Sequence, residues 1–249
     1  MVAATVGPMN FLALAQRLQS ESGTSGAPQT TVLNATGEWL RLCNWIANAY
    51  TDLQNKRQDW LWMEHDVEFD TISGQQVYPP ASTVFTTPAG TGLPDFKKWN
   101  LSTSSGENSF RLWLKSAGNH NETFLSSGLS YPEFRDYYQY GAKRDTLARP
   151  ISIVVDPAKS IQLGLTPNDV YTVVGKYFSA PKLLAADADV PDFPDCYHML
   201  IVWMALEQYG IYQSSPEVIA RAQSNGKPLL QSLEDEQMEE IGWADPLVD

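Results

Sequence analysis

The sequence is short of cationic side chains. Its 17 Lys and Arg residues stand against 29 Asp and Glu residues, which leaves a formal net charge of −12. Proteins that bind nucleic acid on their own neutralise phosphates with Lys and Arg, so this balance excludes autonomous DNA binding. It also argues against docking on anionic membrane surfaces.

Long apolar runs are missing as well. The most apolar stretch, residues 197–206, has about half of the roughly 18 to 20 residues that a bilayer-spanning helix needs. The N-terminus has neither the basic start nor the apolar run of a signal peptide. These features predict a protein that is made and kept in the cytosol, with no membrane partner.

Cysteine is rare, with two residues in the chain. Cys43 and Cys196 lie far apart in apolar stretches that are interpreted as helical. Thiols of cytosolic proteins usually stay reduced, so both are expected to be buried and inert.

Residue patterns that carry catalysis or bind metals are also scarce. His65 lies between Glu64 and Asp66, but neighbouring side chains of a helix or strand point in different directions. His198 has no His-x-x-x-His or Cys-x-x-Cys companion, which favours a core or interface histidine. A hydrolase built around Glu64, His65 and Asp195 is the enzymatic alternative.

A calcium loop is the nearest approach to a metal site. Asp187, Asp189, Asp192 and Asp195 have roughly suitable spacing, but the central glycine is absent and prolines interrupt the run. Helix capping is the simpler interpretation. Phosphate-binding glycine loops and a Gly-x-Ser-x-Gly elbow are also absent, so the sequence predicts no enzyme, no cofactor and no metal.

Two segments near the N-terminus have helical periodicity. Asn10 is placed as the cap of a short amphipathic helix that ends before Ser22-Gly23. A longer apolar pattern predicts a helix over residues 37–63, in which residues seven apart form one seam that needs partner helices. The side chains expected to pack in the core or between subunits are Trp39, Ile46, Tyr50, Leu53, Trp60, Leu200 and Trp203.

The C-terminal part is also helical in pattern. Asp192 is placed as the cap of a helix whose residues 197–206 are apolar almost all round, as in a helix buried on most sides. A second helix starts at Ser215-Pro216, and Asn225-Gly-Lys-Pro228 is expected to break or kink it. The expected contacts with a partner lie in and beyond this helix, at Leu229, Leu230, Leu233, Ile241, Trp243 and Leu247.

The period changes to two after residue 66, where Val67 and Phe69 alternate with charged residues. A second alternating strand is predicted around Leu112, with a short helix at Pro132. Three further strands, predicted at 151–155, 161–165 and 170–178, are interpreted as an antiparallel meander. Residues 78–92 are interpreted as a long loop that reaches a partner.

These patterns together predict an α+β protein. Helices from the N- and C-terminal parts, residues 9–65 and 190–240, form a bundle, and residues 66–189 form a β-rich antiparallel insertion domain. Residues 241–249 form an acidic tail with isolated apolar anchors.

Ordered segments along nearly the whole chain resemble head-to-tail adaptor, or connector, proteins of tailed bacteriophages. Thr36-Gly-Glu-Trp-Leu-Arg-Leu and Trp45-Ile-Ala-Asn-Ala-Tyr are among them. The full set is residues 9–26, 36–42, 45–54, 59–62, 134–136, 149–151, 171–177 and 197–210. One departure is residues 225–228, where these adaptors tend to keep a continuous helix.

The resemblance implies a virion structural protein at the head–tail junction. It implies a homo-oligomeric ring of about twelve copies beneath the portal ring, with the tail nozzle or tube attached below. Double-stranded DNA would pass through this ring without specific binding. The alternatives are another tail or tail-completion component, and a carbohydrate-binding module that uses Trp99 and Trp113.

Overall fold

The computed structural model describes residues 8–24, 26–27, 29–57, 59–102 and 108–237. These residues divide into two compact units. The helical unit takes in the described residues up to Trp62 and those from Pro181 onward, and the β unit is Met63–Ala180. Helices combined with antiparallel sheets confirm the predicted α+β class. The predicted division into a helical body of residues 9–65 and 190–240, an insertion domain of residues 66–189 and a tail of residues 241–249 stays a prediction.

The elements follow one another in a simple order. The helices are α1 (Phe11–Ser22), α2 (Gly37–Lys56), α3 (Tyr131–Phe134), α4 (Met199–Tyr212) and α5 (Pro216–Gln237). The strands are β1 (Glu64–Asp70), β2 (Val77–Tyr78), β3 (Phe85–Thr87), β4 (Gly90–Thr91), β5 (Phe96–Asn100), β6 (Arg111–Leu114), β7 (Thr123–Phe124), β8 (Leu147–Ala148), β9 (Ser152–Val155), β10 (Ile161–Gly164), β11 (Thr166–Pro167) and β12 (Tyr171–Ser179).

Helix α1 has the predicted start and cap, and it ends at Ser22, one residue later than predicted. The side-chain oxygen of Asn10 accepts a hydrogen bond from the Ala13 N–H at 2.9 Å, which satisfies one of the free donors of the first turn. Gly23 ends the helix at φ 70°, a left-handed conformation that glycine adopts without strain. Its apolar side buries Phe11, Leu14 and Leu18.

The prediction of a helix over 37–63 is wrong beyond Lys56. Helix α2 ends at Lys56, because Arg57 is extended. Trp60 therefore does not extend the seam along α2. It folds back instead, and its indole N–H donates to the Leu53 carbonyl at 3.1 Å, one of the carbonyls left free at a helix C-terminus.

Helix α4 is the centre of the helical unit and packs against α1, α2 and α5. Leu200, Val202 and Leu206 are fully buried, as expected for a helix that is apolar almost all round. The predicted Asp192 cap is wrong, because α4 begins at Met199 and Asp192 instead pairs with Lys182 at 3.1 Å.

Helix α5 starts with Pro216 at its first position, as predicted, but the expected break at 225–228 is absent. Pro228 lacks the N–H that would bond to the carbonyl of Ser224, and both residues are exposed. Water can satisfy that carbonyl, so the helix continues to Gln237. Gly226 lets α5 approach α4, since an added Cβ would lie 3.3 Å from the Cβ of Trp203.

The larger sheet of the β unit has the order β4-β3-β1-β12-β6-β7, and β5 also pairs with β12. Strand β1 confirms the predicted alternation, with Val67 and Phe69 buried and Asp66, Glu68 and Asp70 exposed. Strands β9 and β10 pair as predicted and form a second sheet with β2. The two sheets share one core, which includes Phe69, Tyr177 and Leu163.

Two predictions for this unit are wrong. Strand β12 is not the third strand of a meander, because it pairs antiparallel with β1, β5 and β6 in the larger sheet. Residues 78–92 are not a continuous loop, because β3 and β4 form a hairpin within them. The exposed part of this segment is therefore shorter than the sequence pattern indicates.

Candidate interaction surfaces

Most of the residues predicted to pack helices lie inside the helical unit. Ile46, Tyr50, Leu53, Trp60 and Leu200 are buried, whereas Trp39 and Trp203 are half-buried. The buried five hold the subunit together. Their predicted part in packing between subunits stays a prediction.

Tyr50 links α2 to the segment that precedes α4. Its hydroxyl accepts a hydrogen bond from the Asp192 N–H at 3.1 Å, and its ring stacks on Phe193 with centroids 6.1 Å apart. Burial raises the pKa of Tyr50 above its ordinary value. The residue therefore stays a neutral, structural phenol.

The residues predicted to contact a partner differ in accessibility. Leu233 is fully buried, so it stabilises the helix packing and offers no surface to a partner. Leu229 and Leu230 are half-buried on α5. Ile241, Trp243 and Leu247, like the whole predicted tail 241–249, lie outside the described residues.

Part of the acidic run at the end of α5 is held by the helical unit. Glu234 lies 3.7 Å from the Lys56 ammonium. The Glu236 carboxylate accepts a hydrogen bond from the Tyr197 hydroxyl at 2.7 Å, which raises the pKa of Tyr197 to about 12. The end of α5 is thereby fixed beside the end of α2 and the start of α4.

An arginine–aromatic surface lies on α2 and the C-terminal end of α4. We define it by Leu40, Arg41, Trp45, Ile211 and Tyr212. The Arg41 guanidinium donates to the Tyr212 hydroxyl at 2.5 Å and lies 5.1 Å from that ring's centroid. The Trp45 ring is 5.6 Å from the Tyr212 ring. Ile211 is 63% exposed and Tyr212 is 54% exposed.

This surface was missed in the sequence, although its composition was visible there. Trp, Tyr and Arg are enriched where proteins bind each other, and large apolar side chains on a surface gain free energy when a partner covers them. Arg41 makes no ion pair with a carboxylate of the described residues. The surface therefore offers both apolar area and a guanidinium that has no ion pair among the described residues.

The outward face of β1 is acidic. Glu64 pairs with Lys176 at 2.8 Å, and Asp70 pairs with Lys115 at 2.5 Å. Between them, Asp66 and Glu68 are exposed, and their side chains make no ion pair or hydrogen bond with a described residue. Two carboxylates of this face are therefore outside the ion pairs of the described residues, although Lys176 and Arg111 line the same groove.

Two open grooves flank this strand. The larger, of about 650 Å³, is lined by Asp66, Glu68, Thr86 and Pro88, among others. The smaller, of about 390 Å³, includes Val84, which is 73% exposed and belongs to the segment predicted to reach a partner.

Trp99 does not fit the carbohydrate-binding alternative. It is only 6% exposed, its indole N–H donates to the Lys159 carbonyl at 2.7 Å, and its ring packs on Phe96 with centroids 4.5 Å apart. A sugar has no access to its face. Trp113 is half-buried on β6.

The histidines have structural surroundings. His198 is fully buried, its Nδ1 accepts the Met9 N–H at 3.0 Å, and its Nε2 lies 3.1 Å from the Phe193 carbonyl oxygen. Both ring nitrogens are used by a neutral imidazole, and burial lowers the pKa of His198. His65 lies on β1, and it is exposed.

Two of the four carboxylates considered for calcium bind backbone groups instead. Asp187 accepts from the Val32 N–H at 2.6 Å, and Asp189 accepts from the N–H groups of Ala185 and Ala186 at 2.7 and 2.8 Å. Within the described ranges, no group of three or more His, Cys, Asp or Glu residues is arranged to hold a metal ion.

The two cysteines differ from each other. Cys43 is buried as predicted, but the prediction for Cys196 is wrong, because it is exposed in the short turn that precedes α4. An exposed free thiol can react with reagents in solution, whereas a buried thiol is protected from them.

Comparison with known proteins places these surfaces in context. Among the helices that the structure describes, none combines the length and apolarity needed to cross a membrane. No curated protein matches the sequence. A family model described as SU10 adaptor protein matches residues 9–246. Because this match covers nearly all of the 249 residues, the chain belongs to the SU10 adaptor protein family and is a phage structural adaptor.

Proposed function

We propose that this protein is a head-to-tail adaptor, whose copies form a ring of about twelve subunits that joins the portal ring to the tail. The ring continues the channel through which double-stranded DNA leaves the head. The observation that carries this proposal is the family match over residues 9–246. The protein then lies at the head–tail junction of the virion, assembles in the host cytoplasm, and catalyses no reaction.

The acidity of the chain suits a channel. Twelve copies would carry a formal charge of about −144 at −12 each. Carboxylates such as Asp66 and Glu68, which lack cationic partners among the described residues, would repel DNA phosphates if their face lines the bore. DNA would then pass without adhering to the wall.

The C-terminal part is the proposed portal contact. Leu229 and Leu230 keep part of their surface accessible on α5, and Ile241, Trp243 and Leu247 are apolar residues within an acidic stretch of sequence. Isolated aromatic and aliphatic residues of this kind serve as anchors in pockets of a partner. Leu233 takes no direct part, because it is buried in the subunit.

The test is the mass of the complex that forms with the portal ring of the same phage. The expected result is an increase of about twelve subunits per portal ring. A portal ring from an unrelated phage is the control and should gain no mass. If the cognate portal stays intact and gains none, the protein belongs elsewhere in the tail.

A deletion tests the contact itself. Removing residues 241–249 should abolish the mass increase while the thermal unfolding of the subunit stays unchanged. The matched control replaces only the acidic residues of 241–249 with Asn or Gln. It should preserve most of the portal binding, because the apolar side chains stay in place. Unchanged portal binding by the deletion would refute the assignment.

A further inference from the structure

The arginine–aromatic surface is preformed within the folded subunit. Trp45 is held against α4 by Tyr209, at 5.7 Å between ring centroids, and by Tyr212. Arg41 is held in place by the Tyr212 hydroxyl and ring. The side chains are thus ordered before a partner arrives, which reduces the entropy lost on binding.

The opposite side of α2 has a different character. At 100° per residue, Arg41 and Trp45 project about 160° away from Cys43 around the helix axis. On the Cys43 side, Tyr50 binds the Asp192 N–H, and the charge of Asp187 contributes to the raised pKa of the Cys43 thiol, after the larger effect of burial. The segment 181–195 therefore covers the side of α2 that faces away from Arg41.

This acidic segment, residues 181–195, complements the arginine–aromatic surface. It contains four Asp residues and one Lys residue, which leaves a local charge of −3. Asp195 has a side chain that is 53% exposed, and Leu183 is 66% exposed. The segment thus offers carboxylates together with an accessible apolar side chain.

We propose that the arginine–aromatic surface of one copy packs against the acidic segment of the next copy around the ring. A closed ring repeats one contact between two different faces of the same subunit. The two surfaces have opposite charge and lie on opposite sides of α2 within one compact unit. One rotation, repeated from copy to copy, can therefore bring the first surface of each copy against the second surface of the next. The proposal rests on the proposed ring function.

The experiment measures how copies distribute over portal rings when the protein is supplied at half of the saturating amount. Native mass spectrometry should find the wild-type protein on either full or empty rings, because neighbour contacts favour completion. Arg41→Glu should give partly filled rings, with complete rings reduced about tenfold. Lys227→Glu, the same charge reversal at an exposed site on α5, is the matched control and should behave as wild type.

A second variant excludes misfolding as the cause. Ile211 is largely exposed, so Ile211→Glu should leave the thermal unfolding unchanged and still give partly filled rings. Asp192→Lys with Asp195→Lys should have the same effect as Arg41→Glu. A chain that carries Arg41→Glu, Asp192→Lys and Asp195→Lys together again has opposite charges on the two surfaces. It should give full or empty rings, as the wild type does.

The outcomes separate the two proposals. If the wild-type protein adds no mass to the portal, the proposed function fails. If the wild-type protein and both Arg41→Glu and Ile211→Glu fill portal rings in the same all-or-none way, the ring function stands and the neighbour contact is refuted. If the combined charge exchange leaves partly filled rings, the acidic segment is not the partner of the arginine–aromatic surface.

Discussion

Gly175 in β12 is a position where one methyl group should destabilise the β unit. The residue pairs with Val67 of β1 in the middle of the larger sheet. A Cβ added at Gly175 would lie 2.3, 2.4 and 2.5 Å from three carbons of the Phe110 ring. Phe110 is fully buried, so the ring has no open space into which it can turn.

The size of the effect follows from two opposing contributions. Replacing Gly by Ala reduces the entropy of the unfolded chain and stabilises a protein by about 0.4–1 kcal/mol where the site is unstrained. Overpacking a core costs about 1–3 kcal/mol, and contacts this short require the ring or the strand to move. We therefore expect Gly175→Ala to destabilise the protein by about 1–2 kcal/mol, which lowers Tm by about 2–4 °C for each kcal/mol.

Thermal unfolding followed by circular dichroism provides the measurement. Gly128→Ala is the matched control, because its added Cβ would meet only the Ser126 hydroxyl, at 3.8 Å, and it should leave Tm unchanged or slightly higher. Combining Gly175→Ala with Phe110→Leu should cost less than the sum of the two single changes, since the smaller side chain makes room for the methyl group. A Gly175→Ala protein as stable as the wild type would refute the assigned packing of β12.

Three further predictions concern the helical unit. Trp60→Phe keeps a ring but loses the donor to the Leu53 carbonyl, so the free energy of unfolding in urea should fall by about 1–3 kcal/mol. Because the pKa of His198 is lowered in the folded protein, the unfolded chain binds a proton at a higher pH than the folded one. The contribution of neutral His198 to the free energy of unfolding should therefore be complete above the ordinary pKa of 6.5 and decrease as the pH falls through it. Unfolding in urea at several pH values should show this slope, and His198→Gln should remove it. A thiol reagent should modify Cys196 alone in the native protein and Cys43 only after unfolding, because burial raises the Cys43 pKa to about 11.

Elements governed by local chemistry were predictable from the sequence. The Asn10 cap, the Gly23 end of α1 and the Pro216 start of α5 each depend on a few neighbouring residues. The alternation around Val67 likewise reports a strand with one buried face. These features require no knowledge of distant parts of the chain.

Elements governed by distant contacts were not predictable in the same way. Trp60 is seven residues beyond Leu53, which suits a continuing helix as well as a chain that folds back over the helix end. The spacing cannot distinguish the two. Strand β12 was recognised as a strand, but its partner β1 lies about 100 residues earlier, and local propensity carries no information on such pairing.

The candidate surfaces also depend on contacts between residues that are far apart in the sequence. Leu233 and Leu229 belong to one apolar pattern in the sequence, and only the packing of α5 decides that the first is buried and the second is partly accessible. The arginine–aromatic surface joins α2 to the far end of α4, with Arg41 and Tyr212 separated by 171 positions. Helix α4 is apolar on nearly all sides, so its pattern does not mark the side that faces solvent.

The described residues carry two exposed surfaces that differ in polarity and in the sign of their charge. Around Arg41 and Tyr212, aromatic and aliphatic area lies beside a cation without an anionic partner, and covering such a surface with acidic, apolar side chains is favourable. Around Asp66 and Glu68, carboxylates without described cationic partners would lose hydration if covered, so contact there is unfavourable unless the partner supplies cations. The first surface is suited to contact with another protein and the second to staying in water. In the proposed ring, the first surface would hold the neighbouring copy and the second would face the water of the DNA channel.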